Sequence, residues 1–212
     1  MVRVLSVGID LATTAVAFMP LIFIWQRVFL KTAWLRTWLL FLFVLYLAAV
    51  CSLVGIPSVN GLVFDASTNL IPIADIATGA LDYARNSLLN VLLFVPLGVF
   101  APLLWGKFRS IKRVGLLAAC LSCAIELSQL LTFRVTDIDD VITNTMGAIL
   151  GYLLLKGLTR NKGILAIDAA VGGAADGLGE LLALIGATVL WMFFAQPFVG
   201  GWVWDIFYTM AA

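Results

Sequence analysis

Residues 87–105, SLLNVLLFVPLGVFAPLLW, run without one charged side chain. Wound as an α-helix at about 1.5 Å per residue, a stretch of this length crosses the roughly 30 Å hydrocarbon core of a bilayer. Working outward, further apolar stretches fall at about 9–30, 34–54, 114–132, 141–158 and 179–199, each of spanning length. The composition agrees, with 63% hydrophobic residues, 12% charged residues and a mean hydropathy of +1.09. Soluble domains carry about 45–50% apolar and 25% charged residues. The sequence therefore predicts an all-α, polytopic transmembrane helical bundle of six spans, one domain over 1–212 with no soluble domain beside it.

Several function classes drop out at once. A net charge of +1 lacks the basic surplus of a nucleic-acid partner. Histidine is absent, removing the commonest general base and a frequent metal ligand. Cys51, Cys120 and Cys123 lie inside apolar runs, where thiols pack as small hydrophobes. No metal site and no cofactor is expected. Asp10 breaks the first apolar run early and no convincing cleavage site follows, so that run is expected as a mature span rather than a signal peptide.

Basic residues orient the bundle, because Lys and Arg are retained on the cytoplasmic side. Arg27, Lys31 and Arg36 surround the first connection. Lys107, Arg109, Lys112 and Arg113 fill the third, and Lys156, Arg160 and Lys162 lie in the fifth. Only Arg3, Arg85 and Arg134 remain for the other face. The reading is a multi-pass protein of the cell membrane with both termini outside. The outer face is then acidic, with Asp65, Asp75, Asp82, Asp137, Asp139, Asp140 and Asp205.

The long second connection, about 55–86, has helical periodicity at Ile73, Ile76, Ala77, Ala80, Leu81 and Ala84, with Pro72 just ahead. This predicts a short amphipathic helix in the interface. Residues 163–178 are rich in small side chains and fit a re-entrant piece, an interfacial piece or the start of the last span. Trp191, Trp202 and Trp204 fit an aromatic belt.

Chemistry concentrates in one place. Glu126 lies deep within a predicted span, where an ionised carboxylate on the lipid side costs about 2.5–3.5 kcal/mol, so it should face the interior. Ser122, Glu126 and Gln129 share one stripe by i, i+4, i+7 spacing. At about 1.5 Å per residue, Glu126 lies about 12 Å below Arg134, Asn90 about 8 Å below Arg85, and Asn144 about 6 Å below Asp140. Three helices thus bring polar groups to one outer-leaflet layer, with Arg85, Arg134, Asp137 and Asp140 at its mouth. Around it, Gly147 and Gly151 form a G-x-x-x-G that admits a neighbouring backbone, and Pro96 interrupts the third span's ladder.

These blocks resemble the VanZ-like membrane proteins of bacteria. The family pattern N-x-x-L-F-x-P-L-G, E-x-x-Q, R-x-x-D-x-x-D and N-x-x-G-x-x-x-G falls on Asn90, Leu93, Phe94, Pro96, Leu97 and Gly98; on Glu126 and Gln129; on Arg134, Asp137 and Asp140; and on Asn144, Gly147 and Gly151. The resemblance covers about 69–158, leaving 1–68 and 159–212 as additional spans and connections. It departs from the pattern at Leu89, where a glycine is common. The family takes its name from an accessory factor for resistance to teicoplanin-type glycopeptides, whose target is a lipid-linked peptidoglycan precursor. The resemblance therefore implies membrane lipids or a lipid-linked envelope precursor as partner, and leaves room for a membrane-protein partner or a second copy of the chain.

Three functions fit these residues. The first is binding of, or action on, an envelope lipid, with Arg85 and Arg134 holding an anionic group, Asn90, Ser122, Gln129, Asp137, Asp140 and Asn144 around the head group, and Glu126 as acid or base. The second is a proton-coupled transporter or channel with Glu126 as relay. The third is a structural membrane subunit whose polar network only fixes the bundle.

Overall fold

The computed structural model describes residues 2–64, 68–69, 73, 76–132, 136–159, 171 and 177–211. The described residues are mostly helical: α1 (Val2–Phe23), α2 (Trp34–Val54), α3 (Ile76–Leu104), α4 (Ile111–Gln129), α5 (Ile138–Thr159), α6 (Leu178–Leu190) and α7 (Gln196–Ala211). A π-helical turn, Ile24–Phe29, extends α1, and another, Trp191–Ala195, joins α6 to α7 in one rod. Two strands of two residues each, β1 (Thr68–Asn69) and β2 (Thr136–Asp137), complete the described elements. Among the described residues five helical rods are long and apolar enough to cross a membrane: Arg3–Phe29, Trp34–Val54, Gly79–Leu104, Ile138–Thr159 and Leu178–Ile206. The sixth long helix, α4, has 19 residues but carries Lys112, Arg113 and Glu126. Large apolar side chains such as Leu158 (82% exposed) and Val16 (78% exposed) lie bare on the helix faces, the arrangement of a protein solvated by lipid rather than water.

The chain forms two compact units, Met1–Leu62 with Gly179–Ala212, and Val63–Leu178. In the first, Ala48 and Cys51 of α2 and Met192 of the α6–α7 rod form a buried cluster with Leu11 of α1 and Trp191 packed against it. Polar side chains entering this interior are bonded to one another. The Asp10 carboxylate accepts from Gln196 Nε2 at 2.6 Å and from Ser52 Oγ at 2.5 Å, and Thr13 Oγ1 donates to Gln196 Oε1 at 2.7 Å. Towards the other end of α1, buried Arg36 pairs with Glu180, whose second oxygen accepts from Gln26 Nε2 at 2.9 Å. In a low-dielectric interior each of these groups would be costly if left alone. α2 stops at Gly55, whose φ of 68° closes the helix in the left-handed conformation.

The second unit packs α3, α4 and α5. Its tightest contact runs between α3 and α5, where glycines bring the two backbones together. A Cβ on Gly147 would lie 2.2 Å from the Val91 carbonyl oxygen, one on Gly151 2.0 Å from that of Val95, and one on Gly98 1.9 Å from that of Ala148. Val91 opposes Gly147 and Val95 opposes Gly151, so α3 and α5 run in the same direction. Ahead of them, β1 and β2 pair in parallel, Thr68 with Thr136 and Asn69 with Asp137.

The structure revises several expectations. The stretch read as a separate interfacial helix is helical, but it is the first part of α3; a kink at Gly79 (φ −178°, ψ 83°) leaves residues 80–104 as one rod. Ile73 does not start that helix: its φ is 67° and its N–H goes to Asp139. Arg36, read as a loop cation, is 2% exposed within α2 because Glu180 meets it there. Trp191, read as a belt residue, donates its indole N–H to Thr14 Oγ1 at 3.1 Å and packs edge-on against Phe18. Of the cysteines Cys51 is buried, whereas Cys120 and Cys123 are exposed and unpaired. Pro72, Arg134 and most of 163–178 lie outside the described residues.

Because a methyl at Gly151 must push two backbones apart, Gly151→Ala is expected to destabilise by about 1–3 kcal/mol, and Gly157→Ala, where a Cβ meets nothing within 4 Å, to leave stability nearly unchanged. Thermal unfolding in mild detergent measures both.

Candidate functional site: a polar layer at the α4–α5 corner

Along α4, Ser122, Glu126 and Gln129 are 0%, 4% and 4% exposed, while Leu116 and Leu127 on the opposite side are bare. The stripe faces inward because α4 closes against α5 on that side. After Gln129 the chain turns, with Thr132 donating both its N–H (2.9 Å) and its hydroxyl (2.8 Å) to the Gln129 carbonyl. It then returns through β2 into α5. Glu126 holds that return: its Oε2 accepts the Asp137 N–H at 2.8 Å, and its backbone carbonyl accepts the Thr136 hydroxyl at 3.1 Å.

Asp137 caps α5, its Oδ1 accepting the Asp139 N–H at 2.9 Å, so that one of the helix's four unmatched N–H groups is satisfied. Asp139 and Asp140 occupy the first turn of α5, where the helix dipole favours negative charge. Each then reaches another segment. Asp139 Oδ2 accepts the Ile73 N–H at 2.8 Å, Asp140 Oδ1 accepts from Asn90 Nδ2 at 2.6 Å, and Asn69 Nδ2 approaches Asp137 Oδ2 at 3.5 Å. Ile73 adopts a conformation that β-branched residues rarely hold, so the Asp139 contact fixes a strained turn. Deeper in, Asn144 Nδ2 donates to Ser122 Oγ at 2.8 Å, and Ser122 Oγ donates to the Asp140 carbonyl at 3.5 Å. Asn144 is 3% exposed, and its Oδ1 has no hydrogen-bond partner.

Asn90, Ser122, Asp140 and Asn144 thus form one hydrogen-bonded chain across three helices, and Glu126 and Asp137 form a second link at the same corner. Gln129 is buried at the end of α4. Arg85 is exposed on α3 and outside this layer, and Arg134 lies outside the described residues. Among the described residues no three carboxylates or thiols converge as a metal site. Sequence reasoning passed over Tyr83, which lies near enough to Asp139 to feel its charge, and Asn69, set beside Asp137 by strand pairing. Tyr83 lies in a stretch read for its apolar periodicity, which gave the hydroxyl no weight. Chemically the layer is rich in acceptors, so it suits groups that donate hydrogen bonds, such as hydroxyls, amides and ammonium groups.

Because Ser122 and Asn144 satisfy each other, Ser122→Ala and Asn144→Ala should be non-additive, with a coupling of about 0.5–3 kcal/mol in a double-mutant cycle of thermal or denaturant unfolding. Additive losses would mean that the bond carries nothing.

The sequence model of the VanZ/LLP1 family matches residues 43–160, from within α2 to just past the end of α5, and so includes the whole polar layer. No curated protein and no solved structure matches the chain. With a family match over more than half its length and apolar helices long enough to cross a bilayer, the chain is an integral membrane protein of the VanZ/LLP1 family.

Proposed function

We propose that this protein binds the head group of a lipid-linked cell-envelope molecule, of the kind that glycopeptide antibiotics target, at the polar layer of α3, α4 and α5. The chain sits in the cell membrane with both termini outside, and the layer opens to the external leaflet. The observation that carries this reading is the Asn144 Oδ1, an acceptor buried without a partner, on a hydrogen-bonded chain whose Ser122 lies one turn from Glu126 on the same buried face of α4. An isolated buried acceptor costs about 1–3 kcal/mol and calls for a donor. Hydroxyl and amide N–H groups of a saccharide–peptide head group are such donors. Arg85 and Arg134 serve the phosphates of the same molecule, and Glu126, buried among amides, is the group able to exchange a proton with it.

A second reading, architecture alone, is favoured by a different observation. Glu126, Asp139 and Asp140 each tie a separate segment to the corner, through Asp137 N, Ile73 N and Asn90. The two readings separate on Glu126→Gln, which keeps an oxygen for the Asp137 N–H. If the layer is a head-group site, the variant unfolds within about 1 kcal/mol of wild type, yet retains a lipid-linked peptidoglycan precursor about tenfold less well in native mass spectrometry. Equal retention by the two proteins, with a large loss of stability in the variant, would leave architecture as the account.

A further inference from the structure

At the other end of α3 and α5 from the polar layer lies a groove lined by Pro102, Leu103, Arg109, Tyr152, Leu155, Lys156 and Thr159. The last turn of α3 supplies its apolar wall through Leu103, and the last two turns of α5 supply Leu155. Arg109 comes from the connection just after the short turn Gly106–Phe108. Its position is fixed from two sides: its Nε donates to the Pro102 carbonyl at 3.3 Å, and its own carbonyl accepts the Tyr152 hydroxyl at 3.4 Å. Lys156 is exposed one turn beyond Tyr152. Among the described residues the lining thus contains two cations, two hydroxyls and an apolar floor, and no acidic side chain.

Charge complementarity selects the occupant. Lys107, Lys112 and Arg113 lie in or beside the same connection, and the sequence has no acidic residue between Asp82 and Glu126 or between Asp140 and Asp168. Among the described residues of α3, α5 and the α3–α4 connection, this end of the helix pair therefore carries cations and no carboxylate. Its neighbours along α5, Leu153, Leu154 and Leu158, are exposed apolar side chains of a membrane-spanning rod, so the groove opens onto lipid rather than onto water alone. A molecule matching it carries a negative charge at interface depth and an apolar chain directly below.

We propose that this groove is a site for an anionic phospholipid of the leaflet facing the α3–α4 connection. Its phosphate is held between the Arg109 guanidinium and the Lys156 ammonium, with the Thr159 hydroxyl beside them, and one acyl chain lies over Leu103 and Leu155. Basic recesses between membrane helices are suited to such head groups, and the guanidinium adds a directional fork to the attraction. A zwitterionic lipid offers the same chain and phosphate but brings its own cation towards Arg109 and Lys156. The site therefore discriminates by net charge. It does not depend on the head-group reading of the polar layer.

The test uses the full chain in mild detergent, titrated with phosphatidylglycerol or phosphatidylcholine of the same acyl chains and read by native mass spectrometry. Wild type is expected to hold one phosphatidylglycerol about tenfold more tightly than phosphatidylcholine. Arg109→Gln with Lys156→Gln should erase that preference, whereas Lys112→Gln, outside the groove, should keep it. Lys156→Gln alone, which alters only an exposed side chain, should lose part of it and covers the case in which the double variant does not fold. Equal binding of the two lipids by wild type, an unchanged preference in Lys156→Gln, or an equal loss in Lys112→Gln would overturn the site in favour of diffuse attraction or none.

Discussion

Where α3 crosses α5, the two backbones lie so close that the carbonyl oxygens of Val91, Val95 and Ala148 fill the positions that side chains on Gly147, Gly151 and Gly98 would take. In a bilayer, lipid tails are as apolar as the helices, so association rests on such van der Waals fit and on Cα–H contacts to carbonyls. The rest of the second unit follows from it. With the axes and register of α3 and α5 set, Asn90 meets Asp140 at one end and Tyr152 meets the Arg109 carbonyl at the other. α4 then closes over the remaining face of α5 with its polar stripe turned in, because outward placement of Glu126 would strand a carboxylate in hydrocarbon.

The same rule, that polar groups must find partners within the protein, shapes the first unit by itself. Pro20 within α1 precedes a π-helical turn, and the α6–α7 rod has a π-helical turn of its own. Such turns shift the faces of a helix and re-aim its side chains. Gln26 projects from the first of them to Glu180, and Trp191 from the second to Thr14. The buried Arg36–Glu180 pair is held by that added amide, the kind of extra hydrogen bonding that a buried ion pair requires.

Apolar run length made the helices legible from the amino-acid order, and the i, i+4, i+7 spacing of Ser122, Glu126 and Gln129 made the inward face of α4 legible too. The G-x-x-x-G at Gly147 and Gly151 marked a close approach but not its partner, since nothing local to α5 points to Val91 and Val95. Long-range pairing was the blind spot. Arg36 reads as a loop cation until Glu180, 144 residues away, is placed beside it. Tyr83 and Asn69 gain their meaning only from Asp139 and Asp137 across the fold. Ile73 fitted a helical period, yet the Asp139 carboxylate captures its N–H and turns the chain out of the helix. Periodicity reports which face is apolar; it carries no information about a tertiary acceptor that overrides it.

The small parallel pairing of Thr68–Asn69 with Thr136–Asp137 closes the long excursion made by α3 and α4. α3 and α4 lie between the two strands in sequence, so the pair can form only when the two helices run back along each other and bring residue 136 to the side of residue 68. A chain in which α3 and α4 are out of step by even two residues leaves the N–H and C=O groups of both strands unmatched. The strand pair thus acts as a clasp: four residues that add little mass to the fold tie the segment leading into α3 to the first turn of α5.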